Sequence, residues 1–121
     1  ILGLNPHNSE NKISSIENRI IKPAINILRK IKIDIKGPFP TDTAFNKKNL
    51  ASYDVLVGMY HDQVLGPFKA LYGYDAINIT LGLKYLRISP DHGTAKDIVG
   101  LNKANPQSLI SAINFLKKIN D

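Results

Sequence analysis

The stretch that decides the fold is Asp54-Val55-Leu56-Val57-Gly58-Met59-Tyr60. It is almost wholly apolar, which is typical of a parallel strand that is covered on both faces. The polar group 61–63 follows at once. The sequence therefore predicts a strand that ends at residue 60 and carries His61 at its carboxyl-terminal tip.

Other apolar segments predict the elements around this strand. Shorter strands are predicted over 1–4, 33–35, 76–81 and 85–89, and helices over 16–31, 64–72 and 106–119. Ser14 and Glu17 fit a capping box for the first helix, and Pro23 should kink or restart it. Pro38 and Pro40 make a central strand unfavourable near residue 39, and 41–43 should form a loop.

Strands that alternate with helices predict an α/β layered fold with a largely parallel sheet. We expect a single domain over residues 1–121. Because the chain opens directly in an apolar segment, this domain should be incomplete at the N-terminus and form the C-terminal part of a longer protein.

Composition excludes several classes of protein. No apolar run approaches the roughly 20 residues that cross a bilayer, so we expect no membrane partner and a cytoplasmic location. The net charge is +6, but the basic residues form short, separate groups, so no nucleic-acid partner is expected. The chain has no cysteine, so a metal site must use His, Asp or Glu.

Two histidines follow predicted strands. His7 comes after segment 1–4 as His61 comes after 54–60. Ligands of α/β sheets collect beyond the carboxyl ends of the strands, where both rings would lie. Neutral imidazoles suit zinc or a similar divalent ion, and Asp42 and Asp62 would orient them or accept protons. A loop histidine is more often structural or exposed, so spacing alone leaves that alternative open.

Six segments together resemble the 4-hydroxythreonine-4-phosphate dehydrogenase family of pyridoxal phosphate biosynthesis. The resemblance covers residues 2–116 in order and spacing, and the family has a fold similar to isocitrate and isopropylmalate dehydrogenases. The matching segments are Gly3-Leu4-Asn5-Pro6-His7, Gly37-Pro38-Phe39-Pro40-Thr41-Asp42-Thr43, Met59-Tyr60-His61-Asp62-Gln63, Asn78-Ile79-Thr80-Leu81-Gly82-Leu83, Arg87 and Asp91-His92-Gly93-Thr94-Ala95.

The resemblance implies a metal site. It identifies His7 and His61 as two of three histidines that hold a divalent ion, whether zinc, magnesium or cobalt, at the interface of a homodimer. Asp42 and Asp62 would be acids beside the metal, although turn chemistry is an alternative for Asp42.

The resemblance also implies substrate and cofactor sites. Three residues match positions that bind a phosphorylated hydroxy-amino acid: Lys69, Asn78 and Arg87. Without the family, exposed surface roles would be favoured for Lys69 and Arg87, whereas Asn78 in an apolar strand would be a buried amide that needs partners.

The cofactor site is implied by a loop similar to the adenosine-binding loop of isocitrate and isopropylmalate dehydrogenases. Its residues are His92, Gly93, Thr94, Ala95, Asp97 and Asn105. Since the chain contains no G-x-G-x-x-G, NAD, or alternatively NADP, would be held by this loop rather than at a helix N-terminus. A plain glycine turn is the alternative for Gly93.

The implied reaction is NAD-dependent oxidation and decarboxylation of 4-phosphohydroxy-L-threonine to 3-amino-2-oxopropyl phosphate. The sequence departs from the family pattern at Asn8-Ser9 and at Val64, where small residues are common. Loss of glycine at residue 64 would alter the loop if positive φ were needed. The alternatives are a paralogous metal-dependent dehydrogenase of a related hydroxy acid, and a folding or dimerisation domain that is inactive alone.

Overall fold

The computed structural model describes residues 1–6 and 13–120. The chain divides into two compact units, Ile1–Pro67 and Phe68–Asp121. Within the described residues, no helix has the length and apolar character that a bilayer span requires.

The first long helix begins as a π-helical turn. This turn, Glu17–Ile21, leads into α1, Lys22–Lys30, and Pro23 lies in the first turn of α1. The backbone is helical on both sides of this junction, at Ile21 and at Lys22, so the helix continues without the predicted restart, and a kink at Pro23 stays a prediction. The predicted capping box is wrong. Ser15, not Ser14, accepts a hydrogen bond from a backbone N–H, that of Asn18, at 3.3 Å.

Three further helices follow. They are α2, Thr41–Ala44, α3, Lys47–Leu50, and α4, His61–Tyr72. Asn46 caps α3 because its side-chain oxygen accepts from the N–H of Asn49 at 2.9 Å. The loop predicted over 41–43 is therefore a short helix. Val64 lies inside α4, so the missing glycine demands no positive φ at this position.

The N-terminal segment pairs in parallel with the segment around Phe39. Phe39 N–H donates to Ile1 O at 3.0 Å, and Gly3 N–H donates to Phe39 O at 2.9 Å. On its other side, Leu2 N–H donates to Val57 O at 2.9 Å. Leu2 lies between the segments around Phe39 and Val57 and is fully buried. The predicted buried strand at 1–4 is thus present as a single parallel bridge.

The strongest predicted strand, 54–60, was wrong, and so was the strand at 33–35. Neither segment forms a regular strand, and Val55 is 72% exposed instead of covered on both faces. The bridge at Phe39 does not continue, because helix α2 begins at Thr41 and the carbonyl of Gly3 accepts from the side chain of Gln63 instead. An apolar pattern alone does not supply the partner strand that a ladder needs.

The second unit is a hairpin covered by a helix. Strands β1, Ile77–Thr80, and β2, Arg87–Pro90, are antiparallel, with Asn78 opposite Ser89 and Thr80 opposite Arg87. Helix α5, Gln107–Asn120, packs against both strands, and a 3-10 turn, Lys96–Ile98, precedes it. The only regular sheet among residues 1–6 and 13–120 is this antiparallel pair, so the largely parallel sheet stays a prediction.

Candidate active site

His61 and Asp62 open helix α4 and contact one another. The ring Nδ1 of His61 lies 2.8 Å from Asp62 Oδ1, and the two side chains are 77% and 92% exposed. A carboxylate that accepts from Nδ1–H orients an imidazole and leaves Nε2 as the free ligand atom. The contact would suit the predicted role of His61 as a metal ligand, which stays a prediction.

Gln63, the next residue, is 4% exposed and joins three segments of the first unit. Its Nε2 donates to Gly3 O at 2.5 Å and to Thr41 Oγ1 at 2.8 Å, while its Oε1 accepts from Met59 N–H at 2.6 Å. Gln63 was not predicted as a site residue from the sequence. The feature of the sequence that could have identified Gln63 is its position directly after His61 and Asp62, at the end of an apolar run.

Glu17, which was predicted from sequence only as part of a helix cap, contacts the backbone of the N-terminal segment. Its carboxylate is buried and accepts from the backbone N–H of Asn5 at 2.8 Å. This hydrogen bond lowers the pKa of Glu17, and burial opposes the shift. Glu17 thereby fixes the backbone two residues before His7. His7 lies outside the described residues, as do Asn8 and Ser9.

Asp42 lies in the short helix α2 and is exposed. Across residues 1–6 and 13–120, no group of three or more His, Cys, Asp or Glu gathers into a complete metal site. The structure brings together His61 and Asp62, and it leaves the metal roles of His7 and His61 and the role of Asp42 as predictions.

Lys69 forms an ion pair in the second unit. Its ammonium lies 2.9 Å from Asp91 Oδ2 and also donates to the backbone carbonyl of Asp91. Asp91 N–H donates in turn to Ser108 Oγ at 2.7 Å, and the buried Ser108 hydroxyl donates to Ala76 O. The reading of Lys69 as a free surface lysine is therefore wrong.

Asn78 and Arg87 lie on one face of the hairpin. Their opposite partners, Ser89 and Thr80, share that face because side chains alternate along a strand. Arg87 Nη1 donates to Thr80 Oγ1 at 3.3 Å. Asn78 is exposed, so the expectation of a buried amide was wrong. The two predicted substrate residues are diagonal neighbours, roughly 7–8 Å apart in such a pair.

The loop predicted to hold adenosine is exposed from residue 92 to 97. Ala95 has φ +46°, a left-handed conformation that is unusual for alanine, whereas Gly93 is not among the positive-φ residues. A glycine turn at Gly93 therefore does not explain the loop. Asp97 lies in the 3-10 turn, and His92 Nδ1 lies 3.1 Å from Gly93 O.

Asn105 has a local structural partner. Its Oδ1 accepts from Gln107 N–H at 2.9 Å, which satisfies a backbone donor at the start of α5. This contact places Asn105 between the exposed loop and the helix, and the cofactor contact of Asn105 stays a prediction.

Solved structures define the class of this chain as α/β. A structure from Salmonella typhimurium, provisionally assigned as a 4-hydroxythreonine-4-phosphate dehydrogenase, matches with a TM-score of 0.75 and 45% identity. It is matched over 94% of this chain and 35% of its own. A 4-hydroxythreonine-4-phosphate dehydrogenase from Burkholderia phymatum matches with a TM-score of 0.67 and 41% identity, over 93% of this chain and 34% of its own.

Sequence comparisons agree with the structural matches. The family model described as pyridoxal phosphate biosynthetic protein PdxA matches residues 1–116, and the chain belongs to this family. The 4-hydroxythreonine-4-phosphate dehydrogenase of Xanthobacter autotrophicus is 48% identical over 98% of this chain and 34% of its own length. That of a Sulfurihydrogenibium species is 52% identical over 95% of this chain and 35% of its own. The chain spans about a third of the length of these curated relatives.

Proposed function

We propose that the full-length protein containing this chain catalyses a step of pyridoxal phosphate biosynthesis. The reaction is the NAD-dependent oxidation of 4-phosphohydroxy-L-threonine, followed by decarboxylation to 3-amino-2-oxopropyl phosphate. The observation that carries this proposal is the family match over residues 1–116, together with relatives named for this dehydrogenase activity. Because the chain spans about a third of those relatives, we expect no turnover by the chain alone.

The metal-binding part of the proposal assigns His61 and His7 as ligands. The donor chemistry fits, because the Nδ1 of His61 faces Asp62 and its Nε2 remains for a divalent ion such as zinc, magnesium or cobalt. When bound, such an ion supplies positive charge that stabilises negative charge developing on a substrate oxygen. Asp62 holds the ring, and Asp42 is the proposed proton acceptor nearby.

The substrate-binding part assigns Lys69, Asn78 and Arg87. A phosphorylated hydroxy-amino acid carries several anionic oxygens, which charged donors bind through strong hydrogen bonds. Arg87 and Asn78 share the polar face of the hairpin, so a guanidinium and an amide are available to one ligand. Lys69 contributes an ammonium that Asp91 already holds in one orientation.

The cofactor-binding part assigns the exposed loop. His92, Gly93, Thr94, Ala95, Asp97 and Asn105 would hold NAD, or NADP. The left-handed residue Ala95 supports this assignment, because such strained backbone occurs often at ligand-binding sites. We further propose a homodimer in the cytoplasm, with residues of both subunits at each site.

A substrate comparison tests the proposal. The full-length protein is incubated with NAD, a divalent ion and either 4-phosphohydroxy-L-threonine or unphosphorylated hydroxy acids, and NADH formation is followed by absorbance. We expect fast reduction and release of carbon dioxide with the phosphorylated substrate only. Fast reduction by another hydroxy acid, with none by the phosphorylated one, would replace the proposal by a paralogous dehydrogenase.

A further inference from the structure

We propose that Gln63 is a positioning residue for the metal site. Its side-chain amide connects the three segments that lead to His7, Asp42 and His61. The inference deepens the proposed function and rests on it, because it concerns the same site. The position of His61 would then depend on an amide that need not touch the metal.

The hydrogen bonds of Gln63 determine the orientation of its amide. Met59 presents a backbone N–H, which requires the oxygen of Gln63, and Gly3 presents a carbonyl, which requires the nitrogen. The opposite orientation would place donor against donor and acceptor against acceptor. The amide is thus held in one direction by two backbone groups of opposite character.

Each partner of Gln63 lies close to a candidate site residue in the chain. Met59 precedes His61 by two residues, Gly3 precedes His7 by four, and Thr41 is adjacent to Asp42. Because Gln63 is 4% exposed, water cannot readily replace these hydrogen bonds. A change at Gln63 should therefore move all three segments relative to one another.

Gln63 also differs from the other residues at the start of α4. His61 and Asp62 are largely exposed. Gln63 points instead into the first unit, to which its partners Gly3, Thr41 and Met59 belong. The start of α4 therefore has an exposed pair, His61 and Asp62, on its outer side and the buried Gln63 on its inner side.

The test uses Co²⁺ as the probe and Gln63→Met in the full-length enzyme. Methionine keeps the length of the side chain and removes all three hydrogen bonds. We expect Co²⁺ affinity to fall about tenfold, as for other residues that orient metal ligands. The visible absorption of bound Co²⁺, which reports ligand geometry, should change, and kcat should fall more than KM rises.

Gln107→Met is the matched control, because Gln107 is exposed and its amide makes one long bond of 3.4 Å to Ser111. This variant should keep the Co²⁺ affinity and spectrum of the parent enzyme. Gln63→Met with the affinity and spectrum of the parent would overturn the proposal.

Thr41→Val is the second variant, in case Gln63→Met does not fold. It removes one acceptor of Gln63 and should change Co²⁺ affinity and spectrum in the same direction by a smaller factor. If Gln63→Met is unfolded and Thr41→Val binds Co²⁺ like the parent, the proposal fails.

His61→Ala in the same titration separates this inference from the proposed function. Loss of Co²⁺ binding in His61→Ala, with normal binding in Gln63→Met, would remove the positioning role and leave the metal site in place. Normal binding in His61→Ala would instead remove the metal site itself.

Discussion

The ammonium of Lys69 lies 2.9 Å from the carboxylate of Asp91, across 22 residues of chain. Lys69 is a proposed substrate residue, and Asp91 starts the segment proposed to hold NAD. The backbone N–H of Asp91 is held by Ser108 of α5. This ion pair therefore links the two proposed binding regions of the second unit to its core.

We expect Lys69 and Asp91 to stabilise one another measurably. Their side chains are 34% and 23% exposed, so solvent weakens the attraction without removing it. A double-mutant cycle with Lys69→Met and Asp91→Asn should give a coupling free energy of about 1 kcal/mol in urea denaturation, reduced by high salt. Asp75→Asn, which removes a charge bonded to Ser111, should show no coupling to Lys69→Met. Strict additivity of the Lys69 and Asp91 variants would contradict the ion pair.

His61→Ala in the full-length enzyme should abolish turnover and leave the fold intact. The side chain of His61 is 77% exposed, so its removal creates no cavity, while a metal ligand is lost. Steady-state NADH formation and the thermal unfolding midpoint are the two measurements. Normal turnover would remove His61 from the metal site. Asp62→Asn should keep part of the activity but lower metal affinity about tenfold, since it only orients the ring.

Glu17→Gln should change the acid stability of the first unit. The hydrogen bond from Asn5 lowers the pKa of Glu17 below its ordinary value of 4.5. A lowered pKa means that the carboxylate stabilises the fold above about pH 4.5, and that this stabilisation is lost as pH falls through the lowered pKa. The variant should therefore be less stable than the parent at neutral pH, with a difference that shrinks in acid.

The local probe for Glu17 is amide hydrogen exchange at Asn5, whose N–H donates to the carboxylate. Exchange of this amide should be faster in Glu17→Gln than in the parent at neutral pH. Asp34→Asn, an exposed acid of the same unit, is the control and should leave it unchanged. Equal exchange rates in Glu17→Gln and the parent would show that the charge does not hold residue 5.

Gly58→Ala should destabilise the start of α4. A β carbon at residue 58 would overlap Cγ2 of Val64, and it would lie 3.3 Å from Oε1 of Gln63. Overpacking of this kind costs about 1–3 kcal/mol, measurable by urea denaturation. Val64→Ala should restore most of the loss, because it removes the methyl group in conflict. Gly66→Ala, where nothing lies within 4 Å, is the control. A Gly58→Ala variant as stable as the parent would contradict this packing.

Local patterns predicted the longer helices and the two strands of the second unit, but not the antiparallel pairing of those strands. The expected helix over 106–119 is α5, the helix over 64–72 is the main part of α4, segment 76–81 contains β1, and segment 85–89 overlaps β2. These elements bury one face against neighbours nearby in the chain, and such a face is visible in the spacing of apolar residues. An effect of Pro23 on the helix could also be predicted, because proline is favoured only at particular positions of a helix.

Long-range arrangement was not predictable in the same way. Segment 54–60 has the composition of a central strand, yet a strand requires a partner ladder that its own residues do not encode. The roles of Gln63 and of the buried Glu17 were not predicted, for a related reason. Their roles depend on hydrogen-bond partners that are distant in sequence, namely Gly3, Thr41 and Asn5. A single glutamine or glutamate has no repeating pattern in the sequence from which such partners can be predicted.

The two-stranded hairpin separates the face that holds the second unit together from the face that is proposed to meet a ligand. One face of the hairpin carries the apolar residues Ile77, Ile79 and Ile88. The opposite face carries the polar residues Asn78, Thr80, Arg87 and Ser89. Selection can exchange Asn78, Thr80 or Arg87 for other polar residues, and thereby alter ligand preference, without disturbing the helix that supports the strands. A single inserted residue within either strand would have the reverse effect, since every side chain beyond it would change sides at once. The strands of this hairpin therefore tolerate substitutions on the polar face, whereas inserted residues are tolerated only in the turn that connects the strands.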